Sequence, residues 1–416
     1  MKALSESRLL RYLFFGILYL AQGLPWGFIG TGYVIFLADQ GLGSEQIGWL
    51  VGLAYVPWSF KIVFGPLIDK FPSKRWGRRR HFIIVAELLM GLSLLALIPL
   101  NPASQLELVA VVLFLNNTFA ALQDVAVDAL AVDLLSEEER GTANSIMWAG
   151  KSAGVVIGGG GGTLVAKYLG WPTLFGMLAV MLWLIMQLPL FLAERARPEE
   201  APPAPAGLGL SALWASFSLS ATRMGVVIAA LTPMGYALVG TFTTRLLRVD
   251  MGMSEEQLAF LAGVVDPASG VVGALVGGIL ADRLGLRKGI GVYMVGIGLS
   301  LALFAALPSL WPSFQFVVIY TIISTLFINA YNAATLGYFM ALSNPAVGAT
   351  QFAIYMAGTN LCYVVANPLG GWMADNLGYG PAYWMAAAIQ VLTVGLLPFC
   401  NHREAEQHFR KNSTSL

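Results

Sequence analysis

From Gly289 to Ala374 the chain runs 86 residues without a single Asp, Glu, Lys or Arg. A helix needs about 20 apolar residues to cross the hydrocarbon of a bilayer, where only helices and closed barrels satisfy every backbone donor and acceptor. A run this long holds several spanning helices. Leu307-Pro308-Ser309 with Pro312, and Ser343-Asn344-Pro345, supply the turn chemistry that divides it into three. Further apolar stretches lie at Tyr12–Ala38, Gln46–Leu67, Phe82–Leu100, Leu106–Leu134, Thr142–Tyr168, Pro172–Ala193, Val226–Leu247, Glu256–Ala281 and Tyr379–Cys400, which brings the expected count to twelve. Only 11% of the 416 residues are charged, against roughly a quarter in soluble proteins, so a water-soluble domain is excluded. The net charge of +1 argues against a nucleic-acid partner.

Cytoplasmic loops near helix ends collect Lys and Arg. With the amino terminus inside, 19 of the 24 basic residues fall on the cytoplasmic side and three, Lys167, Arg245 and Arg248, fall outside. The remaining two, Lys61 and Lys151, lie within spans. An odd number of helices would put the carboxyl terminus outside, so the bias supports an all-α polytopic protein with twelve spans and both termini cytoplasmic.

The two halves repeat each other. Asp39-Gln-Gly41-Leu-Gly-Ser-Glu45-Gln46-Ile-Gly-Trp49-Leu-Val-Gly52 recurs 211 residues later as Asp250-Met-Gly252-Met-Ser-Glu-Glu256-Gln257-Leu-Ala-Phe260-Leu-Ala-Gly263. Gly65-Pro-Leu-Ile-Asp69-Lys70 matches Gly278-Ile-Leu-Ala-Asp282-Arg283, and Leu169-Gly170-Trp171 matches Leu377-Gly378-Tyr379. Two six-helix halves follow, at 1–193 and 221–416, joined by a cytoplasmic linker at 194–220 whose Glu194–Gly207 stretch is rich in proline and mixed charge. Leu208–Ser220 is read as a short interfacial helix. Parallel six-helix repeats of this kind are the organisation of a secondary transporter, whose halves rock about a site near the bilayer midplane.

Ionisable residues inside a bilayer are costly, and each is a functional candidate. Asp124 and Asp128, with Gln123, share one face of the fourth span at i, i+4 spacing. Two acids on one face oppose double ionisation, which suits a proton carrier; the alternative is a permanent ion pair of one of them with Lys61 or Lys151. Lys61 and Lys151 are the cations available to an anionic solute. Asp266, just before Pro267, is either a second acid facing a cavity or a hydrogen-bonded kink residue, and Glu87 lies one and a half turns into the third span. Gln22, Trp148, Asn329, Asn332, Tyr355 and Asn360 complete the list of polar or aromatic cavity candidates, with helix packing as the competing role.

Enzymatic chemistry has little to work with. Only His81, His402 and His408 are present, Cys362 and Cys400 sit in apolar runs, and no spacing suits a metal, so neither metal nor cofactor is expected. Gly150-Lys151-Ser152 imitates the end of a phosphate-binding loop, but Ser145 stands where its first glycine belongs.

Gly278-Ile-Leu-Ala-Asp282-Arg283-Leu-Gly285-Leu-Arg287-Lys288 resembles the loop motif of the major facilitator superfamily, and Gly65-to-Arg80, with Asp69, Arg78 and Arg79, is a stretched copy of it. The physical role expected of both is a cytoplasmic gate, in which charge pairs latch one arrangement of the halves. A narrower resemblance follows from Gln123-Asp124-Val-Ala-Val-Asp128-Ala-Leu-Ala-Val-Asp133, from Phe60-Lys61 with Pro66 and Asp69, from Gly77-Arg78-Arg79-Arg80, and from Gly23-Leu24-Pro25. These look like the AmpG muropeptide permeases and the related acetyl-CoA transporters. That resemblance implies proton-driven import of a bulky, partly charged solute across an inner membrane, with Asp124 and Asp128 as the acids. Siderophore or acyl-CoA permeases of the same group, and an uncoupled facilitator, are the alternatives. Those permeases commonly carry an arginine where this chain has Lys151, which loses the planar fork for a carboxylate. The expected partners are a small solute, protons and the lipid bilayer, and the expected state is a monomer.

Overall fold

The computed structural model describes residues 3–71, 73, 77–194, 214, 216–344 and 348–400, without the side chains of Ile62, Asp69, Glu137, Glu138, Arg140, Asp282 and Ala349. Most of the linker, most of the helix expected at Leu208–Ser220, the turn at Pro345 and the tail with His402 and His408 lie outside the described residues.

Among the described residues, twelve long helical stretches lie where the apolar runs place the spans. They are α1 (Arg8–Asp39), α2 (Ser44–Ser59, resuming as Phe64–Lys70), α3 (Arg80–Ala96), α4 (Leu106–Leu134), α5 (Glu137–Val156, resuming as Gly162–Leu169) and α6 (Trp171–Phe191). The second set is α7 (Ser220–Asp250), α8 (Glu255–Phe260, resuming as Asp266–Leu284), α9 (Leu286–Ala306), α10 (Phe314–Leu342), α11 (Gly348–Leu377) and α12 (Tyr379–Phe399). Among the described residues, eight of them are long and apolar enough to cross a membrane by themselves. The other four depart for local reasons: α2 breaks at Phe60, α3 has 17 residues, and α5 and α11 carry many glycine and polar residues.

By contacts the chain divides into two compact units, one of Met1–Leu42, Val56–Pro205 and Ser254–Gly263, the other of Gly43–Tyr55, Ala206–Met253 and Val264–Leu416. Each therefore takes in a helical segment from the opposite sequence repeat.

In the first unit the decisive contact is α1 against α5. Gly23 and Gly27 face the backbone of Lys151, Gly154 and Val155, while Gly150, Gly154 and Gly158 face the carbonyls of Gly16, Leu20 and Leu24. A methyl at Gly23, Gly150 or Gly154 would overlap the partner's main chain. Small residues four apart on both helices let the backbones touch, which is how helices gain dispersion contact where lipid provides no hydrophobic drive. The run Gly158–Gly162 continues this seam through a π turn at Ile157–Gly161, where Gly160 meets Gly263 of α8.

The start of α3 is built by a residue that composition assigns to the linker. The Glu194 carboxylate accepts from three successive backbone amides, Arg78 at 2.9 Å and Arg79 and Arg80 at 2.7 Å, the donors a helix start leaves orphaned. Gly77, at φ +90°, lies against that carboxylate, where a Cβ would collide with it.

The amino terminus is clasped in a similar way. Leu4 donates to the Ala193 carbonyl at 2.8 Å, and Arg11 reaches Glu139 at the start of α5, 2.5 Å away. The hydrogen bond from Arg11 holds the Glu139 carboxyl below the usual glutamate range, aided by the Ser136 amide that it caps. A carboxyl lowered on folding adds stability above its unfolded value, about 4.3, and loses it as the pH falls through the folded value. Glu139→Gln is therefore expected to lower the melting temperature at pH 7 and to match the wild type in acid, below both values. Melts of both proteins from pH 7 to pH 3 check this; a constant gap would mean that the carboxylate charge is not what Arg11 uses.

In the second unit, Asp375 near the end of α11 caps α2, accepting from the amides of Ser44 at 3.1 Å and Glu45 at 2.8 Å. Gly48 and Gly371 make the close approaches that this contact requires. Pro267 lacks the amide that would bond Gly263, and α8 widens into a π turn at Leu261–Val265 just before it. Phe304 packs with Trp311, Phe316, Tyr320 and Tyr383 into an aromatic core.

Candidate functional site

Seven of the residues singled out in the sequence come together in the first unit, on α1, α2, α4 and α5. The face of α4 that carries Asp124 and Asp128 meets cations and hydroxyls from its neighbours. Lys61 leaves the irregular turn that follows Phe60, and its ammonium lies 2.9 Å from Asp124 Oδ2. With side chains 22% and 5% exposed, this pair is largely withdrawn from solvent. Asp128, one turn along, accepts a hydrogen bond from the Tyr19 hydroxyl of α1. The two aspartates on one face thus lean on two different helices.

Gln123 binds away from that pair. Its amide donates to Glu87 of α3 at 3.0 Å and to the Leu18 carbonyl of α1 at 3.3 Å. Glu87 is fully buried, and its second oxygen has no partner among the described residues.

Toward the other end of the same face of α1, Lys151 stands among three indoles. Its Nζ lies 5.6 Å from the ring centroid of Trp26 and 5.5 Å from those of Trp58 and Trp148, all within cation–π range. No carboxylate forms an ion pair with it among the described residues. Trp26 and Trp58 also pack on each other at 5.2 Å, and the Trp58 indole donates to Asn117 at 3.0 Å. Gln22 lies three residues past Tyr19 and four before Trp26, so on one helix face between the two clusters. It is fully buried, and neither its amide nitrogen nor its oxygen has a hydrogen-bond partner among the described residues.

The candidates in the second unit do not form one cluster. Asp266 accepts from Thr325 of α10 at 2.6 Å. Asn329 bonds the Thr325 carbonyl of its own helix at 3.0 Å and packs on Gly270. Asn332 accepts from Tyr236 at 3.3 Å, and Tyr236 in turn receives a bond from Tyr363, which stacks on Tyr55 at 4.8 Å. Tyr355 is fully buried elsewhere, accepting from Gln351 at 2.8 Å and stacking on Phe339. Asn360 is half-buried on α11.

Of the gate residues, Arg79 pairs with Asp133 at 3.2 Å. Arg78 offers its main-chain amide to Glu194, and Arg283 and Arg287 are exposed. Gly65 and Gly278 sit on α2 and α8 with open space around them. The carboxylates of Asp69 and Asp282 lie outside the described residues.

The profile described as the Major Facilitator Superfamily matches residues 15–266 and residues 226–414, so it covers most of the chain. The chain belongs to the Major Facilitator Superfamily. It is accordingly a multi-pass membrane transporter and not an enzyme. Among its relatives in this superfamily is the anhydromuropeptide permease of Escherichia coli (strain K12), 27% identical over 409 residues that cover 95% of this chain and 80% of the relative. The facilitator fold itself is shared with the crystal structure of a D-xylose-proton symporter, at a TM-score of 0.72 and 14% identity, covering 96% of this chain and 99% of the other. The nucleoside transporter NupG matches at 0.73 with 13% identity, covering 93% and 98%.

Tyr19, Trp26, Trp58 and Asn117 are the parts of this site that apolar patterning does not bring to the fore. Tyr19 and Trp26 flank Gln22 at i−3 and i+4, and that spacing was the signal available.

Proposed function

We propose that the protein is a proton-coupled importer of a bulky, partly anionic solute of the muropeptide class, acting as a monomer in the inner membrane. The halves 1–193 and 221–416 would alternate access about the linker 194–220. One observation carries this reading: Asp124 and Asp128 share a face, yet each is held by a partner from a different helix, Lys61 of α2 and Tyr19 of α1. Protonating either acid weakens one interhelical contact and leaves the other, so proton binding biases how the helices pack. The resemblance to the anhydromuropeptide permease supports the solute class.

Uptake into proteoliposomes under an imposed inward proton gradient tests it, with labelled anhydromuropeptide, a siderophore and an acyl-CoA offered in parallel. Anhydromuropeptide uptake is expected, falling to background with a protonophore and in Asp128→Asn that remains folded. Uptake that survives both treatments would make the protein a facilitator, and preference for another solute would replace the cargo.

A further inference from the structure

We propose that Lys151, ringed by Trp26, Trp58 and Trp148, with Gln22 one turn before Trp26 on α1, receives a free carboxylate of the solute, with a proton on Asp128 as its charge counterpart. This rests on the transport reading above and adds to it which group of the solute is held, and where.

The ligand chemistry follows from what Lys151 and Gln22 lack among the described residues. Lys151 has indole faces around its ammonium but no carboxylate in ion-pair contact among the described residues, and a cation among aromatic faces retains its appetite for an anion. Indole faces also offer flat apolar area to the C–H face of a sugar ring. Gln22 is a buried amide with donor and acceptor both unused, a costly arrangement unless a ligand engages it. A single lysine suits a monoanion. A doubly charged phosphate would be left half unneutralised, and among the described residues no arginine fork joins Lys151.

Charge counting ties the site to the proton. Asp128 accepts from Tyr19 of α1 and shares its face of α4 with Asp124, which pairs with Lys61 of α2, and Lys151 of α5 is the remaining cation of the cluster. Glu87 of α3 is engaged by Gln123, pairs with no cation among the described residues, and is counted as the neutral acid. Lys61 and Asp124 cancel. Lys151 and an ionised Asp128 also balance, so the empty site is neutral. Adding a proton to Asp128 leaves one positive charge, on Lys151, and a monocarboxylate neutralises it. Proton and carboxylate therefore bind more favourably together than either does alone, and the pair carries no net charge.

The test is a calorimetric titration of the purified full chain at a pH below neutrality with 1,6-anhydro-N-acetylmuramate, a ring-borne monocarboxylate, and with its carboxamide. The carboxylate is expected to bind about tenfold or more tightly than the carboxamide, the scale of one charge-assisted hydrogen bond. That preference should vanish in Lys151→Met and survive in Lys151→Arg, which also controls for folding. Gln22→Leu should weaken both ligands. An equal preference in wild type and Lys151→Met, or no binding of the carboxylate, overturns the assignment. In proteoliposomes, uptake of the carboxylate should follow a pH gradient and ignore an imposed potential; uptake driven by potential alone overturns the charge balance. Failure of anhydromuropeptide uptake would strike the cargo reading instead, because the ratio of carboxylate to carboxamide reads Lys151 directly.

Discussion

Asp124→Asn is expected to destabilise the folded protein by about 3–5 kcal/mol, the usual consequence of removing one member of a buried ion pair. The substitution keeps shape and polarity but strands the Lys61 ammonium, which lies 2.9 Å from the carboxylate and is only 22% exposed. Removing both charges tells a different story. Lys61→Met with Asp124→Leu is expected to recover most of that loss, since apolar replacement of a whole buried pair is often neutral or better. Thermal unfolding of the two single variants and the double, in one detergent, gives the coupling directly. If Asp124→Asn melts with the wild type, the pair is solvated and the site has no claim to be a dry one.

The second large effect is expected at the α1–α5 seam. Gly154 faces the Leu20 carbonyl and the Gly23 main chain so closely that even a methyl overlaps them. Gly154→Ala should cost about 1–3 kcal/mol by overpacking, and Gly154→Leu should force the helices apart and leave little folded protein. Gly176, on α6 with open space around it, provides the control: Gly176→Ala is expected to be neutral or mildly stabilising. Fluorescence-detected size exclusion followed by melting measures all three. Normal yield and melting for Gly154→Leu would show that the backbones do not touch there.

Much of this was legible along the chain, because membrane helices must solve their hydrogen bonding internally and announce themselves by length. The twelve stretches, the repeat of Asp39–Gly52 at Asp250–Gly263 and the common face of Asp124 and Asp128 all follow from spacing. What spacing leaves open is which partner arrives from another helix. Either Lys61 or Lys151 suits one of the two aspartates by spacing, and geometry gives Asp124 to Lys61 and surrounds Lys151 with indoles. Asn329 and Asn332 share a face by register, yet one bonds its own helix and the other a tyrosine of α7. The π turns at Ile157–Gly161 and Leu261–Val265 are illegible for another reason: they arise where the glycine run or Pro267 meets a packing demand, and composition records only the first half of that condition.

Glu194 also bears on how the protein could be taken apart. A transporter built as two repeats invites expression as two separate polypeptides, and a proline-rich joint is the natural place to cut. Because the carboxylate of Glu194 closes the start of α3, and the carbonyl of its neighbour Ala193 anchors Leu4, the first fragment has to end after residue 194 rather than at the last apolar residue of α6. A break one peptide bond earlier would hand that fragment's keystone to the other piece.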